Sequence, residues 1–213
     1  MIGSKTVNER IYLLNICSKI IFNSEWSKKQ YLKDLKSFYH KSKKLIVIHQ
    51  STNKTKVNIK KKSNLITFVG KLNSAKGYDI FGGAVIQILN KYPNWKAVVI
   101  GDEPREKLSF KHKNLKNLGF QNHETVLKTF NKTSIAVACS RWEEPFGRTS
   151  LEASANGCAV IITNKGGLPE TVTDAKILKN LNQKTLTKSI IDLIKNTKLR
   201  KSLQKRSIQN FYL

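Results

Sequence analysis

Three segments carry residue types at spacings that can do chemistry. The first is Cys139-Ser-Arg-Trp-Glu-Glu-Pro-Phe-Gly-Arg-Thr-Ser-Leu-Glu-Ala153, in which Glu144 and Glu152 stand eight positions apart. Glu152 lies between Leu151 and Ala153 in a stretch of helical pattern, and a charge in such small, apolar surroundings needs a partner or a ligand. Carboxylates accept hydrogen bonds from neighbouring hydroxyls, as sugars and riboses present them. Gly147 lets backbone approach closely, and the amides around it can face an oxyanion. The same residues also suit a helix-capping loop closed by a structural ion pair, so this segment alone leaves both readings open. Trp142, beside Glu143, is either a packing residue or part of the mouth of a site.

The second segment is Val69-Gly-Lys-Leu-Asn-Ser-Ala-Lys-Gly77. A strand feeds a glycine turn, and Lys71 and Lys76 precede a helix start. Free amides and a helix N-terminus favour an anion there, and the two ammonium groups would neutralise two phosphates. A solvated basic loop has the same composition. No G-x-x-x-x-G-K-[ST] and no G-x-G-x-x-G occurs, so neither a P-loop nor a dinucleotide fingerprint is indicated. The third segment, Asn164-Lys-Gly-Gly-Leu-Pro-Glu170, reads as a tight strand-to-helix turn that leaves Glu170 at a helix N-terminus, where a carboxylate is stabilising.

Loops of this kind must be held by elements. Short apolar runs alternate with helical patterns: strands over Ile20–Phe22, Leu45–Ile48, Leu65–Val69, Trp95–Ile100, Leu115–Leu118, Ser134–Ala138 and Ala159–Ile162. Helices are expected over Trp26–Phe38 (capped by Ser24), Ile80–Leu89, Glu124–Phe130, Thr149–Ala155 and Gln183–Lys195, with another from about Leu199. Such alternation means an α/β fold, a Rossmann-like parallel sheet with helices on both faces. The loops after its strands, where ligands of such sheets bind, are the glycine-rich ones. Ser51 to Ser63 is polar, rich in Lys and Asn, and reads as a linker.

Length and composition bound the answer. The 213 residues, 39% hydrophobic and 25% charged, allow one full domain and part of another, and exclude a disordered chain, a collagen-like fibre and a disulfide scaffold. The three cysteines, Cys17, Cys139 and Cys158, have no ligand spacing and read as small buried apolar residues in a reducing compartment. His40, His49, His112 and His123 have no metal or catalytic spacing and read as surface or hinge residues. The net charge of +25 suggests anionic partners, although an A/T-rich genome favours Lys, Asn and Ile as well. From Lys28 to Lys62 there are twelve Lys and one acid, Asp34. No run reaches the length of a membrane span, and Ile11–Phe22 has no signal-peptide layout.

In order, the chain shows G-K-L-x-x-x-K-G, G-D-E, L-G-F, E-P-F-G-R-T-S-L-E-A, N-G-C-A-V-I and G-G-L-P-E. Together these resemble the C-terminal half of glycosyltransferase family 4, the retaining enzymes of the GT-B fold. The resemblance is strong from Leu65 to about Val172, and Ile20–Asn53 resembles the last strand and helix of the N-terminal GT-B domain with its hinge. It implies a remnant of that domain over 1–52 and a nucleotide-sugar-binding domain over 53–213. Lys71 and Lys76 fall where the family binds the donor diphosphate, with Lys at a position usually held by Arg, a loss of bidentate geometry. Glu144 would contact the donor sugar, and Lys71, Lys76 and Glu144 form the implied catalytic set. Gly70, Leu118, Gly119, Phe120, Pro145, Phe146, Gly147, Arg148, Thr149 and Glu152 form the implied donor-binding set, with Glu152 on the ribose and 118–120 near the base.

The resemblance implies no cofactor and no metal, the donor itself being the nucleotide. It also implies a glycan or lipid-linked acceptor, a cytoplasmic setting that could be peripheral to an anionic membrane, and no nucleic-acid partner. Only the final portion of an N-terminal domain precedes the hinge, and the chain closes on Asn210-Phe-Tyr-Leu213, where the terminal helix would cross back. A truncated enzyme is therefore expected. The alternative is a non-catalytic nucleotide-binding module, or half of a split enzyme with a separate N-terminal half. A basic nucleic-acid-binding protein fits poorly, since the Lys runs lack interleaved Arg and aromatics. A nucleotide-sugar epimerase is disfavoured by the Pro-Phe-Gly and E-x(7)-E arrangement.

Overall fold

The computed structural model describes residues 6–53, 56–172 and 174–209. The expectation for Asn210–Leu213 therefore falls outside the described residues. Six strands form one parallel sheet: β3 (Leu65–Val69), β4 (Lys96–Ile100), β5 (Leu115–Asn117), β6 (Ile135–Ala138), β7 (Ala159–Thr163) and β8 (Ala175–Leu178). Their spatial order is β5-β4-β3-β6-β7-β8, and every neighbouring pair is parallel.

Strand parity divides the core into two layers. Ile66, Phe68, Ala97, Val99, Ile135, Val137, Ala159 and Ile161 point to one face, with α3 (Tyr78–Lys91) and α6 (Gln183–Lys195) over it. Ile100, Ala136, Val160 and Ile162 point to the other, with Val126 and Phe130 of α4 (His123–Lys132) and Ala153 of α5 (Arg148–Ala155). Burial on both faces is why these strands read as unbroken apolar runs. A last helix, α7 (Thr197–Gln209), places Arg200 5.2 Å from the Trp95 ring and donates from Gln204 to the Ser134 carbonyl at 3.0 Å.

A second, two-stranded parallel sheet joins β1 (Ile20–Phe22) to β2 (Leu45–Val47), with Ile20 opposite Leu45. Leu14, Phe22, Tyr31, Leu32, Leu35 and Leu45 form its own apolar cluster. Two helices cover it, α1 (Val7–Ile16), opened by a Thr6/Glu9 capping box, and α2 (Glu25–Leu32), capped by Ser24. Arg10 is buried and donates to the carbonyls of Tyr31 at 2.6 Å and Lys33 at 2.7 Å. In the linker, Lys62 donates to the Phe130 and Asn156 carbonyls, next to the ends of α4 and α5. Burial pushes its ammonium below the usual lysine range.

Two expectations about the fold need correction, and two elements are present that the sequence reading does not contain. The helix over Trp26–Phe38 ends at Leu32, because Asp34 takes a left-handed φ of 65° and a 3-10 helix, Ser37–Lys41, follows. β1 is the strand expected over Ile20–Phe22, and α1 before it is an element absent from the sequence reading. β8 is the other such element: its burial is patchy and its sequence, Ala-Lys-Ile-Leu, alternates weakly. Cys17 is only half-buried, whereas Cys139 and Cys158 are buried as expected, with burial raising their thiols to about 12 and about 11. Among the described residues no helix is long and apolar enough to cross a membrane.

Candidate functional site

The sheet order reverses between the parallel strands β3 and β6, whose following connections lead to opposite edges of the sheet, β3 to β4 and β6 to β7, and a crevice opens at their C-terminal ends. Gly70, just after β3, and Ser140, just after β6, line it, with Lys76, Glu144, Gly147, Arg148 and Thr149. Its space, including the open mouth, is about 500 Å³. At its centre the Lys76 ammonium is paired with the Glu144 carboxylate, and both side chains are largely buried. The N-terminus of α5 opens onto the same crevice through Arg148 and Thr149, whose amides lie in the first helical turn.

Two cross-braces fix the loop that carries Lys76. Arg141 grips Asp79 through two bonds of 2.7 Å and also donates to the Ser74 carbonyl. The guanidinium holds the Asp79 carboxyl below its usual range. The amides of Arg141 and Trp142 both donate to the Ala75 carbonyl, at 2.9 and 3.1 Å. Gly77 has φ +75° and lies where a Cβ would stand 2.1 Å from the Cys139 carbonyl oxygen, so only glycine permits the approach. On the other side, Ser74 N donates to Glu106 at 2.9 Å and Asn73 to Glu103 at 3.2 Å.

Glu152 sits one turn into α5, its side chain 7% exposed. Its Oε1 accepts from Arg148 Nε at 2.9 Å and lies 2.9 Å from His123 Nε2. The buried charge thus has the partners its sequence context demanded. His123 is the first residue of α4, so this contact ties Glu152 to the helix into which the segment Leu118–Asn122 leads. Phe120 is 77% exposed. His123 is at the surface as expected, but nothing in its spacing announced a carboxylate partner from another helix.

The implied site residues divide accordingly. Gly70, Lys76, Glu144, Gly147, Arg148 and Thr149 share the crevice. Lys71 is exposed and outside the crevice lining, and has no ion pair among the described residues. Leu118, Gly119 and Phe120 precede His123, the partner of Glu152, by three to five positions in the chain and are not among the crevice lining. Pro145 and Phe146 turn away from the crevice: Pro145 offers its carbonyl to α2, and Phe146 is buried with its ring stacked on His49 at 5.7 Å. Glu170 is corrected. It ends a 3-10 helix, Leu168–Glu170, and does not cap a helix of its own; it accepts from the amides of Glu25 and Trp26 at the start of α2. Trp142 is 59% exposed at the lip of the Glu144 loop. Among the described residues no group of three or more His, Cys, Asp or Glu side chains is placed to hold a metal ion.

Comparison with known proteins bears on the family and the fold. The chain is similar to an uncharacterized glycosyltransferase of Methanocaldococcus jannaschii, 31% identical over 199 residues, covering 90% of this chain and 54% of the relative. It is similar to the C-terminal domain of a glycosyl transferase group 1 family protein, LpcC, of Francisella tularensis, at 28% identity and a TM-score of 0.61, covering 70% of this chain and 85% of that structure. Its fold matches Anabaena HepE, solved with UDP and glucose, at a TM-score of 0.78 and 18% identity, over 96% of this chain and 61% of that one. The chain spans about half, or less, of the length of the curated relatives it matches. The model of the family "glycosyl transferases group 1" matches residues 49–210, three quarters of the sequence, and the chain belongs to that family.

Proposed function

We propose that this chain supplies the donor side of a retaining family 4 glycosyltransferase, which moves a sugar from a nucleotide diphosphate sugar to a glycan or lipid-linked acceptor. The observation that carries the reading is the Lys76–Glu144 pair in a crevice at the N-terminus of α5. A diphosphate sugar complements both halves of that pair. Its phosphate oxygens suit the ammonium and the free amides of α5, and its hydroxyls suit the carboxylate. Glu152, steadied by Arg148 and His123, accepts from the ribose hydroxyls, with the base beside Leu118–Phe120.

In the reaction the bond from the anomeric carbon to the diphosphate oxygen breaks. A bond to the acceptor oxygen forms on the same face, and the acceptor's proton passes to the departing phosphate oxygen. Negative charge grows on the diphosphate, so preorganised cations and amides lower the barrier electrostatically. Lys76 and Arg148, with Lys71 reaching from the exposed side of the same loop, supply that charge from the chain itself. HepE was solved with UDP and with UDP-glucose, which makes a uridine donor the first candidate. A cytoplasmic setting and attraction to an anionic membrane surface belong to the same proposal, the latter resting on the lysines of 28–62.

The test is a thermal-shift panel with UDP, GDP, ADP and their sugars on the chain and on Glu152→Ala. A nucleotide at a hundred times its dissociation constant stabilises the wild type by about 2.7 kcal/mol. The variant should lose that shift while staying folded, since the Arg148 and His123 side chains left behind are more than half exposed. A folded wild type that responds to no nucleotide contradicts the donor reading.

A further inference from the structure

We infer that Ser24, Ser27 and Glu170 form a clasp through which the N-terminal segment positions the loop 143–147, so that the sugar half of the donor site depends on α2 while the nucleotide half does not. The inference deepens the donor reading above and rests on it for its ligand.

The geometry is continuous. A helix begins with amides that have no partner inside it. Ser24 takes one of these, accepting from Ser27 N at 2.9 Å. Glu170, from the connection after β7, takes two more: Glu25 N donates to Oε2 at 2.7 Å and Trp26 N to Oε1 at 2.8 Å. A carboxylate at a helix N-terminus is favoured by the helix dipole as well. Ser24 also works in the opposite direction, since its hydroxyl donates to the Pro145 carbonyl at 2.5 Å, and the Ser27 hydroxyl lies 3.0 Å from the same oxygen.

Pro145 follows Glu144 directly and has no N–H, so its carbonyl is its only backbone handle. From the other side, Gly167 N donates to the Glu144 carbonyl at 2.7 Å and Gly166 N to the Glu143 carboxylate at 2.5 Å. Gly166 has φ +58°, and a Cβ there would stand 2.1 Å from the Glu144 carbonyl oxygen. His49 closes the ring, with Nε2 3.1 Å from Glu170 Oε2 and its imidazole stacked on Phe146. The backbone that carries Glu144 is therefore held between residues 166–170 and the start of α2. Glu152 has no such dependence. It stands on α5, and Arg148 and His123 are the partners that hold it. Ser24, Ser27 and Glu170 are positioning residues, acting on the sugar contact through Pro145 and Glu144.

The experiment compares the full chain with Glu170→Gln and Ser24→Ala, neither of which lines the crevice. Hydrogen exchange is followed by mass spectrometry in peptides covering 143–147 and 166–167, with β6 and β7 as internal controls. UDP, GDP, ADP and the matching nucleotide sugars are titrated in parallel. Each variant should exchange about tenfold faster at 143–147 and 166–167 with the control strands unchanged. Affinity for the preferred nucleotide diphosphate should stay within about twofold, while the added affinity contributed by the sugar falls about tenfold. Unchanged exchange in both variants overturns the clasp, as does acceleration spread over the whole sheet. Equal weakening of nucleotide and nucleotide sugar overturns it too, because a purely structural role would act on both alike. If the wild type binds no nucleotide, the donor reading fails on its own, and the exchange data still decide the clasp.

Discussion

Lys71 and Lys76 share one loop but not one environment. Lys76 is largely buried and paired with Glu144, whereas Lys71 is exposed. Hydrogen bonds to charged groups out of water are worth about 1.5–3 kcal/mol, and exposed ion pairs about 0–1 kcal/mol. Lys76→Ala should therefore weaken binding of the preferred nucleotide diphosphate at least tenfold, with Lys71→Ala costing less than fivefold, as read by calorimetric titration. Equal losses would place both ammonium groups on phosphate alike. At this scale the sequence showed which residue types were present and which carboxylates stood out. It did not show that Lys76 rather than Lys71 meets Glu144, because two lysines in a glycine loop look alike until the loop is folded against β6. Nor did it show His123 against Glu152, a contact made between two helices.

The elements were largely legible because their apolar periods are strong. α6 spans Gln183–Lys195 as expected, and the core strands fall within a residue or so of their apolar runs. Where period is weak, α1 and β8 are not legible in the sequence, and the end of α2 before Asp34 is not marked. The loops between elements owe their shape to cross-braces, and one of these is sensitive to pH. Arg105 donates to both Glu103 oxygens, at 2.7 and 2.9 Å, and this hydrogen bonding, ahead of all other influences, holds the Glu103 carboxyl down to about 2. Folding thus lowers the proton affinity of this group from its ordinary 4.5, and its stabilising contribution is complete above that value. The contribution is lost as pH falls from about 4.5 towards about 2. Melting temperatures measured across that range should fall less steeply for Glu103→Gln than for the wild type. Parallel curves would show that this brace contributes nothing to acid stability.

For the molecule as a whole, the net charge of +25 is the dominant long-range feature. On the membrane reading, the chain should co-sediment with vesicles containing anionic phospholipid and not with neutral ones. Raising salt from 0.05 to about 0.5 M should release it, since screening shortens the reach of surface charge to a few ångströms. Equal retention on neutral vesicles would sink that reading.

Composition, apolar period and the order of short motifs determined an α/β chain with a parallel sheet, its family, and Glu144 and Glu152 as the carboxylates of interest. Each of these is written in local pattern: a period of two or of three to four residues, or a motif a dozen residues long. Only the tertiary structure decided who meets whom. Placing β3 between β4 and β6 sets Gly70 and Lys76 across from Glu144, although 68 residues separate the lysine from the carboxylate. The same folding brings Glu170 back to α2 across 145 residues and turns an expected helix cap for its own segment into the cap of another. Such contacts depend on strand order and on loops crossing the sheet edge, and no local period in the sequence encodes them.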